Sequence, residues 1–373
     1  MEIIMPSLDK FFTPLKIKSC ELKNRFVMAP MTRSFSPNYI ANDQVAGYYR
    51  RRAEGGVGLI ITEGTFINHK GANGYPNVPA IYGEQSLAGW KNVVDAVHEA
   101  EGKIMPQLWH VGSVRKPAAD IGPDTEAPAY SPSGLFKPGK ENGIAMSQAD
   151  IDEVVAAFAQ AAADAQSIGF DGVEIHGAHG YLIDQFFWSG SNVREDKYGG
   201  SLENRCRFAV EIITAIRAAV GEDFPIIFRY SQWKQQDYTA KLADTPEQLK
   251  EFLSYLSDAG VDVFHCSTRR FWLPEFDGSD LNLAGWTKKL TGKLAITVGS
   301  IGLDADFISG EGGFGDAEPT GVDKLAERIN NDEFDLAAVG RAILVDPDWV
   351  NKIKDNNISA IKPFTKKALM SLS

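Results

Sequence analysis

The chain contains few cysteines and no long apolar run. Only three of its 373 residues are cysteine; they lie far apart, and no Cys-x-x-Cys pair occurs. That spacing excludes a zinc ribbon and a cysteine-ligated iron–sulfur cluster, and it fits a reducing compartment. No apolar segment approaches the ~20 residues that a bilayer crossing requires, and Met1 to Lys18 holds no signal-peptide apolar core. We therefore expect a cytoplasmic protein.

Positive charge is also scarce. The formal net charge is -11 at pH 7, which opposes binding to nucleic acid or to an anionic membrane surface. Arg50-Arg51-Arg52 is the only basic run, and it lies within a helical pattern. A solvated or salt-bridged helix face explains this run better than a polyanion site does. We expect a small-molecule partner, with neither nucleic acid nor membrane, and the sequence leaves the oligomeric state open.

Eight short segments rich in β-branched and apolar residues recur along the chain, with helical patterns between them. Most are nearly continuous apolar runs, which suits strands that are covered on both faces in a parallel sheet. They are Arg25–Met31, Gly58–Gly64, Lys103–Trp109, Gly172–His176, Pro225–Tyr230, Val261–Cys266, Leu294–Val298 and Leu336–Gly340. This alternation predicts an α/β fold of the (β/α)8 TIM-barrel type, in one domain that spans residues 1–373. An open doubly wound sheet is the alternative, but no Gly-x-Gly-x-x-Gly fingerprint follows the first strands.

Three stretches between these segments exceed ordinary loop length. Residues 111–146 are proline-rich and follow the third predicted strand, and residues 268–292 are aromatic and acidic and follow the sixth. A glycine-rich stretch, residues 309–321, lies beyond the seventh. Long loops in a compact barrel are usually functional, so we expect the first two to shape the mouth of an active site, with 111–146 as a lid.

The hexapeptide His176-Gly177-Ala178-His179-Gly180-Tyr181 directly follows the fourth predicted strand. In a barrel, catalytic groups lie at the C-terminal ends of the strands. Gly177 and Gly180 carry no Cβ, so the backbone can turn sharply there and both imidazoles can face one cavity. Two imidazoles can donate hydrogen bonds to one oxygen atom, and a nearby phenol can deliver a proton. The hexapeptide therefore predicts a site that activates a carbonyl group.

Glycine turns follow the seventh and eighth predicted strands, where barrels often bind phosphate. Gly299-Ser300 follows the seventh and Gly340-Arg341 the eighth. Glycine allows close approach of the backbone, and the Arg341 guanidinium offers two parallel donors. Either turn alone is typical of an ordinary surface turn, but the two together predict a phosphate site.

Further motifs continue this pattern from the first predicted strand to the eighth. They are Leu22-Lys23-Asn24-Arg25, Met28-Ala29-Pro30-Met31-Thr32-Arg33, Gln107-Leu108-Trp109, Gly172-Val173-Glu174-Ile175, Ser191-Asn192, Tyr198-Gly199-Gly200-Ser201-Leu202-Glu203-Asn204-Arg205, Gly340-Arg341-Ala342 and Asp346-Pro347-Asp348-Trp349. With the hexapeptide, they resemble the old yellow enzyme family over nearly the whole chain. The resemblance implies an oxidoreductase that reduces the activated C=C bond of α,β-unsaturated carbonyl compounds. It also implies non-covalent FMN, NADPH or NADH as reductant, and a ping-pong hydride transfer through the flavin.

The resemblance assigns roles around the flavin. Thr32 would hydrogen-bond flavin O4, Gln107 the pyrimidine edge, and Arg229 would stabilise negative charge near N1 and O2. Arg341 and the backbone of Gly299-Ser300 would hold the phosphate. The implied cofactor-binding residues are Ala29, Pro30, Thr32, Gly64, Gln107, Arg229, Gly299, Ser300, Gly340 and Arg341.

The resemblance also assigns the substrate site, with no metal ligand. His176 and His179 would bind the carbonyl oxygen, Tyr181 would protonate the α-carbon, and Trp109 would pack near the substrate. Loss of one donor at a developing oxyanion typically costs about 3 kcal/mol in the barrier.

Two segments depart from the family pattern. They are residues 230–238 after the fifth strand and residues 269–276 after the sixth, and both should border the substrate or nicotinamide entrance.

Nitro-esters or nitroaromatics are alternative substrates for the same hydrogen-bond donors. A metal-dependent hydrolase that uses His176, His179 and His265 is a further alternative. Glu63 is a candidate acid or base, although its position more often holds an internal salt-bridge partner.

Overall fold

The computed structural model describes residues 6–116, 123–305 and 315–373, in which eight parallel strands close into a barrel. The strands are β1 (Phe26–Met28), β2 (Leu59–Phe66), β3 (Ile104–Trp109), β4 (Val173–His176), β5 (Ile226–Ser231), β6 (Val263–Ser267), β7 (Leu294–Val298) and β8 (Leu336–Val339). Strands that follow one another along the chain pair in parallel, and β8 pairs with β1 to close the ring. Each strand overlaps the segment predicted for it, so the prediction of a (β/α)8 barrel is confirmed.

Helices follow the strands and cover the outside of the barrel. They are α1 (Asp43–Glu54), α2 (Glu84–Glu99), α3 (Gln148–Ser167), α4 (Leu182–Phe187), α5 (Leu202–Val220), α6 (Pro246–Ala259), α7 (Leu283–Thr291), α8 (Asp323–Asn330), α9 (Arg341–Val345) and α10 (Trp349–Lys354). Side-chain caps fix several starts. Ser147 and Asp150 form a reciprocal capping box at α3, and the Thr245 hydroxyl caps α6 ahead of Pro246.

A short antiparallel hairpin, Leu15–Ile17 with Cys20–Leu22, belongs to a separate apolar cluster with alternate strand residues. The cluster contains Ile17, Cys20, Leu22, Val27, Ala29, Leu59, Ile61, Met105, Ile227, Val263, Ile296, Leu336 and Ala338. Most of its strand residues lie toward the N-terminal ends of the strands, and they alternate with those that pack under the helices. The hairpin thus closes the N-terminal end of the barrel, and polar side chains are left for the opposite end.

The two predicted long loops differ in how they are built. Within 111–146, Tyr130–Ser131 pairs with Ile144–Ala145 and Leu135–Lys137 pairs with Lys140–Glu141, while residues 117–122 lie outside the described residues. The loop after β6 is shorter than predicted, because α7 begins after Asn282, whose Oδ1 accepts the Gly285 N–H at 2.9 Å. Residues 309–314 of the glycine-rich stretch 309–321 lie outside the described residues.

The basic run in α1 agrees only in part with the expected solvated or salt-bridged face. Arg50 is exposed and pairs with Glu54 and Glu99, as expected. Arg52 is fully buried, and Arg51 and Arg52 donate hydrogen bonds to the backbone oxygens of Leu372 and Ser373. Two of the three guanidiniums therefore hold another segment of the chain. The prediction of a solvated or salt-bridged face was wrong for these two, because they donate to backbone oxygens over 300 residues away in sequence.

None of the described helices is long and apolar enough to cross a membrane.

Candidate active site

A cavity of about 420 Å³ lies at the C-terminal ends of the strands. Small-molecule sites commonly occupy about 300 to 1,000 Å³. The cavity brings together the predicted residues Ala29, Pro30, Thr32, Gln107, Trp109, His176, His179, Tyr181, Arg229, Gly299, Ser300, Gly340 and Arg341. One cavity therefore joins the predicted carbonyl site to the predicted phosphate site.

Gly64 is the predicted residue that is not among those lining the cavity. A Cβ at Gly64 would overlap the indole of Trp109, with Cδ2 at 2.8 Å. The register of β2 against β3 also shifts between Ile61 and Gly64. Glycine at this position allows β2 to pass close to Trp109.

The two imidazoles of the hexapeptide are neighbours in the wall of the cavity, with ring centroids 5.2 Å apart and ring planes at 82°. His176 is the last residue of β4, whereas His179 has a left-handed backbone with φ of +64°. That conformation is unfavourable for a residue with a Cβ. Hydrogen bonds hold it, since the His179 N–H donates to Ser231 Oγ at 2.9 Å and the Gly180 N–H donates to Asp184 Oδ2 at 2.7 Å.

Both imidazoles are neutral at physiological pH. Burial, followed by the positive charge of Arg229, lowers the pKa of His176 and of His179 well below the ordinary value. A neutral imidazole has a single N–H, so its tautomer decides what it can donate. His176 Nδ1 accepts the Ala178 N–H at 3.4 Å, which leaves the proton on Nε2. His176 can therefore donate from Nε2.

Tyr181 presents a phenol beside these rings, with its centroid 4.9 Å from that of His176. Burial raises the pKa of Tyr181 well above its ordinary value, as does the neighbouring Tyr75, while the amide of Gln235 opposes the rise. The phenol therefore stays protonated across the physiological range. The Tyr75 hydroxyl lies 3.1 Å from that of Tyr181, and the Tyr75 ring stacks on Trp109 at 5.3 Å.

Arg229 supplies a buried positive charge to the cavity. Its Nη2 donates to Ser267 Oγ at 3.3 Å, and its Nε has no hydrogen-bond partner among the described residues. Ser267 Oγ also lies 2.7 Å from His179 Nε2, so one hydroxyl links the guanidinium to the imidazole. Burial lowers the pKa of Arg229, yet a guanidinium remains charged at neutral pH.

Hydrogen bonds to residues inside the barrel orient the Gln107 side chain. Its Nε2 donates to Glu174 Oε1 at 2.7 Å, and Glu174 Oε2 lies 2.6 Å from His265 Nδ1. All three side chains are buried. Because the amide nitrogen is engaged, the amide oxygen of Gln107 is left as an acceptor for a ligand N–H.

The predicted phosphate end lies at β7 and β8. Gly299 has φ of +141°, and a Cβ there would lie 2.8 Å from the carbonyl oxygen of Thr268. Ser300 is left-handed at +51°, and the Arg341 side chain is largely buried and donates to the Ala305 carbonyl. Glycine is therefore needed for the close approach of two loops at this edge of the cavity.

Several residues that line the cavity were not predicted from the sequence. They are Met31, Tyr75, Trp233, Gln235, Tyr238, Thr268, Arg269, Val298, Ile301, Leu303, Ala338, Leu344 and Leu369. Trp233, Gln235 and Tyr238 belong to the unusual segment 230–238, which was expected to border the entrance without individual roles. Tyr75 and Leu369 carry no sequence signal, because distant contacts bring them to the cavity.

Other candidate residues lie outside the cavity. Glu63 is buried, and its Oε2 accepts the backbone N–H groups of Arg33 and Ser34, at 2.8 and 3.1 Å, in place of a salt bridge. His265 is paired with Glu174 rather than with the histidines of the hexapeptide. In the described part of the chain, no three His, Cys, Asp or Glu side chains are grouped to hold a metal ion.

Comparison with known proteins gives a consistent result. Residues 10–309 match the family described as NADH:flavin oxidoreductase / NADH oxidase. The chain is 45% identical over 215 residues to putative 12-oxophytodienoate reductase 2 of Oryza sativa subsp. japonica, an alignment that covers 56% of each protein. It is 34% identical over 368 residues to an NADH oxidase of Thermoanaerobacter brockii, which covers 96% of this chain and 52% of that protein. The chain spans about half the length of these two relatives.

The fold resembles that of morphinone reductase, solved in complex with tetrahydroNAD. The two structures have a TM-score of 0.80 at 28% sequence identity, over 96% of this chain and 93% of that chain.

Proposed function

The chain belongs to the NADH:flavin oxidoreductase / NADH oxidase family, and from this premise we propose that it is an FMN-dependent ene-reductase of the old yellow enzyme type. It uses NADPH or NADH to reduce the activated C=C bond of α,β-unsaturated carbonyl compounds. One observation carries the proposal. Two neutral imidazoles and a protonated phenol, from His176, His179 and Tyr181, converge on one cavity that also holds the buried charge of Arg229.

The side chains of the cavity fit FMN. A flavin presents an N–H and carbonyl oxygens along its pyrimidine edge and a phosphate at the end of its ribityl chain. The free amide oxygen of Gln107 and the unpartnered Nε of Arg229 match that edge, because one accepts and the other donates. Thr32 adds a hydroxyl to the same cavity wall.

The remainder of the flavin site is proposed from the same cavity. Ala29 and Pro30 would line the ring system, and Arg341 with the backbone of Gly299, Ser300 and Gly340 would hold the phosphate. Gly64 would belong to the site through its contact with Trp109, which itself lines the cavity. FMN, when bound, supplies the two-electron redox chemistry that couples oxidation of NAD(P)H to reduction of the second substrate.

The protein's own residues then act on the substrate carbonyl. His176 would donate to its oxygen from Nε2–H. His179, whose Nε2 accepts the Ser267 hydroxyl, would donate from Nδ1–H. These two hydrogen bonds withdraw electron density from the conjugated C=C bond. The β-carbon becomes electron-poor for that reason. Tyr181 delivers a proton to the α-carbon, which its retained phenol proton allows. Trp109 lines the cavity and packs against Tyr181, with ring centroids 4.9 Å apart, so it would pack near the substrate.

We further propose that residues 1–373 act as one catalytic domain, with residues 111–146 as a lid over the cavity.

The proposed partner is a small molecule. A nitro group, which offers two acceptor oxygens, could accept from the same hydrogen-bond donors. The net charge of -11 supports a small-molecule partner over nucleic acid. Three free, buried cysteine thiols support a reducing location, and we propose the cytoplasm.

The visible spectrum of the purified protein tests this function. We expect a yellow protein whose flavin absorbance is bleached anaerobically by NADPH or NADH and restored by cyclohexenone. A colourless protein that cannot be reconstituted with FMN would reject the proposal. A panel of enones and nitro compounds, compared by kcat/KM, separates the two substrate classes.

A further inference from the structure

Glu63 is a buried carboxylate that lies outside the cavity. The register of β2 against β3 shifts between Ile61 and Gly64, so Glu63 falls in an irregular part of the strand. Such irregularities often lie next to active sites, where they change the direction of a side chain. Glu63 is 1% exposed and is not among the described residues that line the cavity. It is therefore in no position to act as an acid or base on a ligand there.

Two consecutive backbone N–H groups converge on this carboxylate. The Arg33 N–H and the Ser34 N–H both donate to Glu63 Oε2, at 2.8 and 3.1 Å. Ser34 has a left-handed backbone with φ of +60°, a conformation that is unfavourable for a residue with a Cβ. Successive N–H groups in such a turn form a concave site that suits an anion. Glu63 occupies that site and so holds the turn in place.

The turn carries Thr32 to the cavity. Thr32 directly precedes Arg33, is exposed, and lines the cavity. On its N-terminal side, the nearest backbone hydrogen bond among the described residues runs from the Ala29 N–H to the Val339 carbonyl, at 2.9 Å. On its C-terminal side, the nearest are the two hydrogen bonds to Glu63. Glu63 therefore anchors the backbone immediately after Thr32.

The backbone of Glu63 is itself fixed by its surroundings. Its N–H donates to the hydroxyl oxygen of Tyr49, a buried residue of α1, at 2.9 Å. Its carbonyl oxygen accepts from the hydroxyls of Thr62 and Thr65, at 2.8 and 3.0 Å. The carboxylate is thus carried by α1 and β2, independently of the turn that it holds.

We propose that Glu63 is a positioning residue, which fixes the turn at Arg33 and Ser34 so that the Thr32 hydroxyl meets the flavin and raises its reduction potential. A hydroxyl that donates to a flavin carbonyl stabilises the reduced flavin more than the oxidised one, because negative charge develops there on reduction. The inference rests on the proposed FMN-dependent function and adds to it a residue that touches neither flavin nor substrate.

The reduction potential of the bound flavin tests this role. Glu63→Leu removes the acceptor, and Glu63→Asp shortens the side chain by one methylene; the second serves if the first does not fold. We expect each to lower the equilibrium constant for reduction up to about tenfold, or about 30 mV for a two-electron couple. Glu63→Gln keeps an oxygen acceptor and should have the wild-type potential. The potentials are measured at pH 8, above the pKa of Glu63, which burial raises to about 7.

A double-mutant cycle shows whether Glu63 acts through Thr32. Thr32→Val removes the hydroxyl, so in that background neither Glu63→Leu nor Glu63→Asp should lower the potential further. Asp335→Leu is the control. Asp335 is also a buried carboxylate that accepts a backbone N–H, from Ala295 at 3.0 Å, but it lies at the N-terminal end of the barrel. This variant should lose stability and keep the wild-type potential.

Four results would overturn the inference in a protein that holds FMN. They are unchanged potentials in Glu63→Leu and Glu63→Asp, an equal fall in Glu63→Gln, an equal further fall in the Thr32→Val background, and an equal fall in Asp335→Leu. A wild-type protein that binds no FMN would instead reject the proposed function.

Discussion

The hydroxyl oxygens of Tyr75 and Tyr181 lie 3.1 Å apart at the wall of the cavity. Tyr181 is almost fully buried, whereas Tyr75 is partly exposed and stacks on Trp109. Their hydrogen bond therefore joins the proposed proton donor to the surface. A phenol that gives up its proton in a buried site needs a route to regain it, and this contact offers one.

Tyr181→Phe is expected to slow enone reduction by about 10² to 10⁴, the usual contribution of a general acid. Reduction of the flavin by NADPH or NADH requires no proton from this phenol, so that half-reaction should remain largely intact. Stopped-flow measurement of the two half-reactions separates them. An equal loss of rate in both half-reactions would show that Tyr181 is not the proton donor. Tyr75→Phe, which keeps the ring on Trp109, should have a smaller effect confined to the same half-reaction.

Replacement of His176 or His179 by Ala should weaken phenol binding to the FMN-loaded protein about 10-fold to 100-fold, because a donor to the ligand oxygen is lost. The change in flavin absorbance on titration with phenol measures this affinity. His98→Ala provides a matched control, since His98 lies in α2 and contacts Asp171 outside the cavity. Unchanged affinity in both hexapeptide variants would remove these histidines from the carbonyl site.

The barrel was predictable because its strands are buried on both faces and appear as continuous apolar runs. Leu294–Val298 was predicted with the bounds of β7. The first segment was predicted too long: β1 ends at Met28, two residues before Pro30, which has no N–H for a ladder. The boundaries of α7 were missed because residues 268–292 were treated as one loop.

The site was predictable where its chemistry lies in one short stretch. His176, His179 and Tyr181 follow a single strand, so their spacing alone places them together. Tyr75 reaches the cavity through a loop whose path depends on tertiary contacts, among them the bond from Arg115 to the Asn73 carbonyl. No local pattern encodes such a path.

The stability of the protein should depend on pH through Glu63. Burial raises the pKa of this carboxyl from 4.5 to about 7 in the folded state. Since the folded state retains the proton more strongly, Glu63 stabilises the fold fully below about pH 4.5, and this contribution is lost as pH rises through about 7. The linked free energy of unfolding is about 3 kcal/mol.

Glu63→Gln should remove that part of the pH dependence, as seen in urea unfolding at pH 5 and pH 7.5. The substitution is mild because both backbone N–H groups donate to the same oxygen, Oε2, which an amide oxygen can replace. Glu275, whose pKa is also raised to about 7 by burial, continues to titrate in both proteins. An identical pH dependence in wild type and variant would contradict the assignment to Glu63.

Arg52 is expected to support the cavity through the segment Lys366–Ser373. Its guanidinium is buried and donates to the backbone oxygens of Leu344 and Ser373, at 2.7 and 2.5 Å. Leu369 of that segment lines the cavity. Arg52→Met leaves these carbonyls without their donor, so we expect a loss of about 2 to 4 kcal/mol in the free energy of unfolding and faster release of FMN.

Arg50→Met is the matched control for that variant. Arg50 lies in the same run but is exposed, with partners Glu54 and Glu99 on the surface. Exposed ion pairs contribute little to stability, so this variant should behave as wild type in both measurements. Urea unfolding and the rate of FMN loss on dilution provide the comparison. If Arg52→Met released FMN no faster than Arg50→Met, the terminal segment would have no part in retaining the cofactor, whatever its effect on unfolding.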